Sequence, residues 1–289
     1  MSFSIRQGRA SDAAAIARFT AATFDWGDYV ADAFLNWIED PAGQVLVAVD
    51  QDDSAVAVGL GLMVSPTEAW LQGARVSEDW RRRGIASAVG AALVEWAGTQ
   101  QAQVARLVIE DWNVAAQKQV EATGFRAIGS WVVAERSVEE TGPTTATNGG
   151  QRAKARRKLR IAHSSEAVPA WVSWRSGPFS APARGLFAQS WRWTRLTVNH
   201  LEQAAREGAL WQSQAGWAHV RLTADRATVG WLECAPDDAM DMVRSIIDLA
   251  AEAGAGAVQI TVPEVTCLVD ALTAASCELH RVNVYARGL

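Results

Sequence analysis

The sequence predicts the α/β (α+β) class, in the form of two consecutive domains that each have a central mixed, mostly antiparallel sheet flanked by helices. Runs typical of strands alternate with segments in which apolar residues recur at helical spacing. The second half repeats the element order of the first at a constant offset: 153 residues separate Gly84 from Asp237, and the same number separates Gly124 from Cys277. A chain of 289 residues with 49% hydrophobic residues is long enough to form two domains with cores of their own.

The first half opens with a strand-like run and two helical segments, and three further strand-like runs follow. Ser11 and Asp12 are residues that favour a helix start, and Gly124 stands where a helix end needs a left-handed residue. Strands are predicted over residues 3–7, 44–50, 55–65, 69–76 and 104–109, and helices over 11–20, 29–38, from 85 onward, and from 113 to 124.

The segment from Val76 to Ala86 joins a predicted strand to a predicted helix and contains three arginines followed by Gly84. Ile85, Val89, Leu93 and Trp96 place one apolar face on the helix that follows. A glycine turn at a helix N-terminus presents unpaired backbone N–H groups and the positive end of the helix dipole. This turn is therefore predicted to bind an anion, and a phosphate in particular.

Arg81-x-x-Gly84-x-Ala86 resembles the pyrophosphate-binding motif of the GNAT family of N-acetyltransferases, and Asn113-x-x-Ala116 leading to Gly124-Phe125 resembles the segment that follows it in that family. The resemblance covers about residues 3–137. It implies acetyl-CoA as co-substrate, no metal, and tandem GNAT folds with a degenerate second copy. It also implies that Ala74 and Val76 offer main-chain groups to the pantetheine arm and that Asn113 bonds this arm or a nearby water. The residues implied to surround the pyrophosphate are Arg81, Arg82, Arg83, Gly84, Ile85, Ala86 and Ser87.

The chain departs from the family at the positions that often carry proton-transfer groups. Val120 stands where many members have a tyrosine, and Gln72 and Gly73 stand where a carboxylate is common. Glu68, Glu110 and Tyr29 are the candidates to replace these groups, with Asp111 as an alternative to Glu110. His219 and His280 of the second half are further candidates.

The second half has no phosphate-binding turn. At the positions offset from Arg81 to Ala86 it has Cys234 to Ala239, where no glycine occurs and where Asp237 and Asp238 satisfy the helix dipole and repel phosphate. The predicted domains are 1–138, which binds acetyl-CoA, and 161–289, a scaffold, dimer surface or acceptor-site wall. Residues 139–160 are predicted to be a linker with a basic cluster at its end, formed by Arg152, Lys154, Arg156, Arg157, Lys158 and Arg160.

Composition excludes several classes of function. The net charge of -5 gives no indication of nucleic-acid binding, and no apolar run reaches the roughly 18 residues of a membrane span. The three cysteines, Cys234, Cys267 and Cys277, match no metal site and predict reduced thiols in a cytoplasmic protein. We expect a monomer or a homodimer.

Two functions follow from this reading. The first is an N-acetyltransferase that moves an acetyl group from acetyl-CoA to an amine of a small molecule or peptide. The alternative is a non-catalytic acyl-CoA-binding sensor or scaffold. The intact turn fits both functions, whereas Val120, Gln72 and Gly73 favour the second.

Overall fold

A computed structural model describes residues 2–21, 23, 27–138 and 158–289. The chain divides into two compact units. Unit 1 comprises Met1–Ala127 together with Tyr285–Leu289, and unit 2 comprises Ile128–Val284. Of the predicted linker, 139–160, residues 139–157 lie outside the described residues, and with them the basic residues before Lys158.

Unit 1 has an antiparallel run of four strands followed by one parallel partner, in the order β1-β2-β3-β4-β5. The predicted elements of this half are confirmed to within two residues at nearly every boundary. The strands are β1 Ser4–Gln7, β2 Gly43–Val49, β3 Ala55–Ser65, β4 Glu68–Val76 and β5 Val104–Glu110, and the helices are α1 Ala13–Thr20, α2 Val30–Glu39, α3 Ile85–Thr99 and α4 Val114–Ala122.

Apolar residues cover both faces of the unit 1 sheet. On one face, Ile85, Val89 and Leu93 of α3 pack on β3 and β4, as the helical spacing predicts. On the other face, Ile16 of α1 and Phe34 of α2 pack on β2 and β3. Because β2 and β3 are buried by helices on both sides, they read as nearly continuous apolar runs rather than as alternating ones.

Unit 2 repeats this topology. Its strands follow the order β7-β10-β11-β12-β13-β6, with β12 and β13 parallel and the other described pairs antiparallel. The elements are β6 Arg126–Ser137, β7 Arg160–Ile161, α5 Ala167–Ser176, β8 Leu186–Gln189, β9 Arg192–Arg195, α6 Val198–Arg206, β10 Leu210–Gln212, β11 Gly216–Leu222, β12 Arg226–Cys234, α7 Ala239–Glu252, β13 Ala257–Pro263, α8 Thr266–Ala274 and β14 Glu278–Gly288.

The strands that come next in the chain after β5 and after β13 are exchanged: β6 lies beside β13, and β14 lies beside β5. β6 follows β5 in the chain, yet it pairs with β13, from Ser137 opposite Ala257 to Trp131 opposite Pro263. The strand beside β5 is β14, whose last residues belong to unit 1. There the Leu289 N–H donates to the Gln103 carbonyl at 3.1 Å, and Arg287 Nη1 donates to the Thr123 carbonyl at 2.6 Å. The two compact units therefore meet in the chain at Ala127 and Ile128, and the domain boundary at residue 138 stays a prediction.

Other expectations concern cysteines, metals and membranes. All three cysteines are free; Cys234 is buried, while Cys267 and Cys277 are partly exposed. Burial raises the pKa of the Cys234 thiol to about 12. Among the described residues no helix is long and apolar enough to cross a membrane, and the same residues contain no cluster of metal-ligating side chains. The oligomeric state and the cytoplasmic location stay predictions.

Candidate active site

The turn between β4 and α3 has the geometry of an anion site. After a single 3₁₀ turn over Glu78–Trp80, the chain passes through two left-handed residues, Arg82 (φ 61°) and Gly84 (φ 76°), and α3 begins at Ile85. A Cβ atom on Gly84 would meet no atom within 4 Å. The left-handed backbone favours glycine here, and the open space in front of it lets a phosphate approach the main chain closely.

The first turn of α3 is anchored in the core at one residue and exposed at the next. Ile85 is buried in the core under the sheet, while Gly84 is exposed and Ala86 and Ser87 are half-buried. The first N–H groups of a helix have no acceptor within the helix. The start of α3 therefore combines main-chain donors and the positive end of the helix dipole with an exposed glycine.

Three exposed arginines surround the turn. Arg81 Nε donates to the Val76 carbonyl at 3.3 Å. Arg83 Nη2 donates to the Asp79 carbonyl at 2.9 Å, and its guanidinium lies 5.1 Å from the centre of the Trp80 ring. These contacts hold two of the positive charges near the turn, while Arg82 is exposed.

The two parallel strands beside this turn separate. Among the described residues, the register between β4 and β5 runs from Glu68 opposite Val104 to Trp70 opposite Arg106, although β4 continues to Val76. The pairing of β4 with β3 is irregular just beyond this point: Gln72 lies opposite Leu60 and Arg75 opposite Val58, so Gly73 and Ala74 form a bulge in β4. Such a bulge bends its strand and increases its twist, so the last half of β4 diverges from β5 and leaves a main-chain edge facing the gap.

The main-chain groups expected to receive pantetheine lie at this edge, and two of them already have partners. The Ala74 carbonyl accepts from Arg75 Nη1 at 3.1 Å, and the Val76 carbonyl accepts from Arg81 Nε. Asn113 caps α4, since its Oδ1 accepts from the Ala116 N–H at 3.2 Å. The side-chain amide N–H groups of Asn113 are thus the part suited to a ligand.

The predicted proton-transfer residues fall in three different places. Glu68 is buried at the start of β4 and its Oε1 lies 2.7 Å from Arg106 Nη1. It is eight residues before Val76, about 25 Å along the strand, so this placement does not support a role at the turn. Glu110 is half-buried at the end of β5, on the side of the turn. Tyr29 is exposed and precedes α2.

The sequence does not indicate that Tyr285 lies in the same core cluster as Val120, because the two residues are far apart in the chain. Val120, which stands where the family often has a tyrosine, is buried in the core cluster of unit 1, and Tyr285 of β14 lies in the same cluster. Burial, with Glu121 beside it, raises the pKa of the Tyr285 phenol. One of the chain's two tyrosines therefore lies in the same core cluster as the position that lacks one.

An ion pair on the opposite face of β4 was also missed. Arg75 Nε lies 2.6 Å from Asp28 Oδ2, and the Asp28 side chain is 1% exposed. The two residues are 47 positions apart, and nothing in the local sequence signals their pairing. They lie beside the bulge, at the edge where the thioester is expected.

In unit 2 the turn that corresponds to the Gly84 turn is neither left-handed nor basic. β12 and β13 also stop pairing midway, after Val229 opposite Ile260, and β12 is bulged at Gly230. However, a Cβ atom on Gly230 would lie 1.6 Å from the Ala188 carbonyl oxygen, so the β8–β9 hairpin packs directly on this strand. The following turn, Pro236–Asp238, carries two acidic residues at the start of α7.

Comparison with known proteins identifies the fold. Residues 13–125 match the family model described as the acetyltransferase (GNAT) family. A GCN5-related N-acetyltransferase from Sphaerobacter thermophilus superposes with a TM-score of 0.63 at 16% identity, over 99% of this chain and 95% of that one. One from Kribbella flavida gives 0.53 at 12% identity, over 100% and 71%.

A third structure is described as a GCN5-related glucosamine N-acetyltransferase region of a fungal multi-domain β-N-acetylglucosaminidase. It gives a TM-score of 0.68 at 13% identity, over 99% of this chain and 38% of that one. Because these similarities extend over nearly the whole chain, they include both units. No curated protein matches the chain.

Proposed function

The N-terminal unit is a GNAT-family domain, and on that premise we propose that the chain is an acetyl-CoA-dependent N-acetyltransferase with one coenzyme A site, in unit 1. The observation that carries the proposal is the left-handed Gly84 turn at the start of α3, beside the gap between β4 and β5. The turn would hold the pyrophosphate through the N–H groups of Gly84 to Ser87 and through Arg81, Arg82 and Arg83. The gap would receive the pantetheine arm along Ala74 and Val76.

The reaction proposed for this site is the transfer of an acetyl group to an amine. The amine lone pair attacks the thioester carbonyl carbon, a C–N bond forms, and the C–S bond breaks. The nitrogen loses one proton and the departing thiolate gains one. A free thiol has a pKa of about 8.5, so its thiolate leaves without strict need of an acid. The protein's main tasks are then to position the thioester and to accept the proton from the amine.

Glu110 is the proposed acceptor of the amine proton, because it lies at the same sheet edge as the turn. Tyr29 and Tyr285 are the two phenols that could deliver a proton to the sulfur. The variants Glu110→Gln, Tyr29→Phe and Tyr285→Phe test these roles. A general acid or base contributes about 10²–10⁴-fold to a rate, so a variant that keeps the full rate and pH profile removes its residue from the mechanism.

The first experiment measures coenzyme A binding by titration calorimetry, with one site per chain expected. The second follows release of free thiol from acetyl-CoA in the presence of pooled amines, including amino acids, polyamines, aminoglycosides and glucosamine. Glucosamine is included because one structural relative is described as a glucosamine N-acetyltransferase region. Two comparable sites would refute the assignment to unit 1.

The alternative function is an acyl-CoA-binding sensor or scaffold. It is favoured by Val120, Gln72 and Gly73, none of which can transfer a proton. If coenzyme A binds and no amine in a broad panel is acetylated, this alternative replaces the enzyme.

A further inference from the structure

The ion pair between Asp28 and Arg75 connects α2 to the bulged half of β4. Arg75 Nε lies 2.6 Å from Asp28 Oδ2, and Arg75 Nη2 lies 3.3 Å from Asp28 Oδ1. The same Oδ1 accepts from the Val30 N–H at 3.1 Å, in the first turn of α2. The third nitrogen, Arg75 Nη1, donates to the Ala74 carbonyl at 3.1 Å. One guanidinium therefore ties the start of a helix to the main chain of the strand edge.

Two aromatic residues complete the contact at the bulge. Gly73 is left-handed, with φ 69°, and a Cβ atom there would lie 2.4 Å from the Trp37 ring. The Tyr29 ring meets Trp37 edge-on at 5.9 Å, and the Arg75 guanidinium lies 5.9 Å from the centre of the Tyr29 ring. The bulge is thus held on this face by α2 and by the residues just before it.

A second ion pair in unit 1, between Arg6 and Asp12, lies away from this edge; Arg6 Nε also lies 2.7 Å from Asp53 Oδ1. Arg6 Nη1 and Nη2 lie 2.8 and 2.9 Å from the two Asp12 carboxylate oxygens. Asp12 also accepts from the Arg9 N–H at 2.7 Å. The exposure of the two pairs is alike, at 16% and 5% for Arg6 and Asp12, against 17% and 1% for Arg75 and Asp28. Arg6 is on β1, separated from β4 by two strands, so this pair serves as a matched control.

We propose that Arg75, held by Asp28, is a positioning residue that keeps the bulged edge of β4 in the shape that receives the pantetheine arm and the thioester. The nucleotide end of coenzyme A then binds at the Gly84 turn independently of this pair. The inference rests on the proposed function, because it assigns a task within the same coenzyme A site.

The test compares two ligands that share the nucleotide end. Coenzyme A carries the pantetheine arm, whereas adenosine 3′,5′-bisphosphate does not. We expect Asp28→Asn and Arg75→Met to weaken coenzyme A binding by about tenfold to a hundredfold, the usual range for loss of a charged hydrogen bond. Binding of the bisphosphate should stay within about twofold of the unaltered protein. Arg75→Lys should recover part of the loss, since it keeps the charge but not the planar fork.

The control variants are Asp12→Asn and Arg6→Met. Asp12→Asn should lower the melting temperature about as much as Asp28→Asn does, and Arg6→Met should lower it at least as much as Arg75→Met because Arg6 also pairs with Asp53. The affinities of both control variants for both ligands should stay unchanged. The split between the two ligands is a readout that a purely structural role would not produce.

Three results would overturn the inference. Equal loss of both ligands in the Asp28 and Arg75 variants would show that the pair supports the whole unit rather than the strand edge. Unchanged affinity for coenzyme A with a lowered melting temperature would show packing alone. If the unaltered protein binds neither ligand, the proposed function itself fails, and the inference falls with it.

Discussion

The two units share their topology up to the turn that follows the bulged strand, and they differ at that turn. In each, a bulged strand leaves its parallel partner midway and leads through a short turn into a helix. In unit 1 that turn is left-handed, open and basic, and the strand edge faces a gap. In unit 2 the turn is acidic and the β8–β9 hairpin covers the strand at Gly230. A fold alone therefore does not make an anion site, because the turn chemistry and the free space must both be present.

The strongest test of this difference between the units is to add a carboxylate to the Gly84 turn. Gly84→Glu places a negative charge and a side chain where the pyrophosphate is proposed to bind, and we expect at least a thousandfold loss of coenzyme A affinity, about 4 kcal/mol. Gly254→Glu is the matched control, because Gly254 in unit 2 is also left-handed (φ 70°) with nothing within 4 Å of a Cβ atom. Calorimetry should show normal affinity for the control; equal affinities in both variants would mean that the Gly84 turn holds no phosphate.

The penultimate residues of the two strands give a second comparison. Arg75 of β4 is paired, whereas Glu233 of β12 is 2% exposed and its Oε2 has no hydrogen-bond partner among the described residues. Burial raises the pKa of Glu233 to about 8, from 4.5. Between these values the unfolded chain has released the proton that the folded chain keeps, so stability falls as pH rises. Glu233→Gln should remove this dependence and stabilise the protein by about 3 kcal/mol at pH 8.

The measurement is the melting temperature from pH 5 to pH 8.5. The unaltered protein should lose stability across this range relative to Glu233→Gln, and the two curves should converge near pH 5. Parallel curves would show that Glu233 is ionised in the folded protein and has found a partner.

Gly73 and Gly230, the glycines at the bulges of β4 and β12, give a third comparison between the two units. Gly73→Ala would put a methyl group against Trp37 on a left-handed backbone, and Gly230→Ala would put one against the Ala188 carbonyl. We expect each to destabilise the protein by about 2–3 kcal/mol through overpacking. Below its melting temperature, Gly73→Ala should also weaken coenzyme A binding, whereas Gly230→Ala should leave it unchanged. Loss of binding in both variants would contradict a site confined to unit 1.

The smallest effect is expected at low pH and comes from His219 of unit 2. His219 is 6% exposed, and burial lowers its pKa to about 4, with Arg221 contributing. Below pH 6.5 the unfolded chain takes up a proton that the folded chain refuses, so stability falls as pH falls toward 4. His219→Gln should reduce this loss by about 1–2 kcal/mol, measured as chemical unfolding at pH 4.5 and pH 7. An equal loss in both proteins would refute the assignment to His219.

Local features of unit 1 could be predicted from the sequence, while long-range pairings could not. The apolar periodicity of α3 and the glycine of its turn are set by neighbouring residues, so both were predicted and both are confirmed. The Asp28–Arg75 pair and the core cluster that contains both Val120 and Tyr285 join residues 47 and 165 positions apart. Glu68 was a candidate for proton transfer in the sequence, which gives no sign of its buried ion pair with Arg106 on the neighbouring strand.

The same reason explains what was missed in unit 2. Residues 161–216 carry no motif, and β8, β9 and α6 between them were not predicted. β8 and β9 have four residues each, which is too short for apolar periodicity to distinguish a strand from a loop. The local sequence therefore does not indicate that this hairpin packs on Gly230.

The position of β14 has a consequence for biosynthesis. The sheet of unit 1 is completed by residues 285–289, which leave the ribosome 158 residues after Ala127. At about 5–20 residues per second, the edge of β5 stays unpaired for roughly 8 to 30 seconds before its neighbour is made. A nascent chain stalled between the two units should therefore expose that edge to chaperones and to protease. Releasing the stalled chain so that it extends through residue 289 should protect the edge.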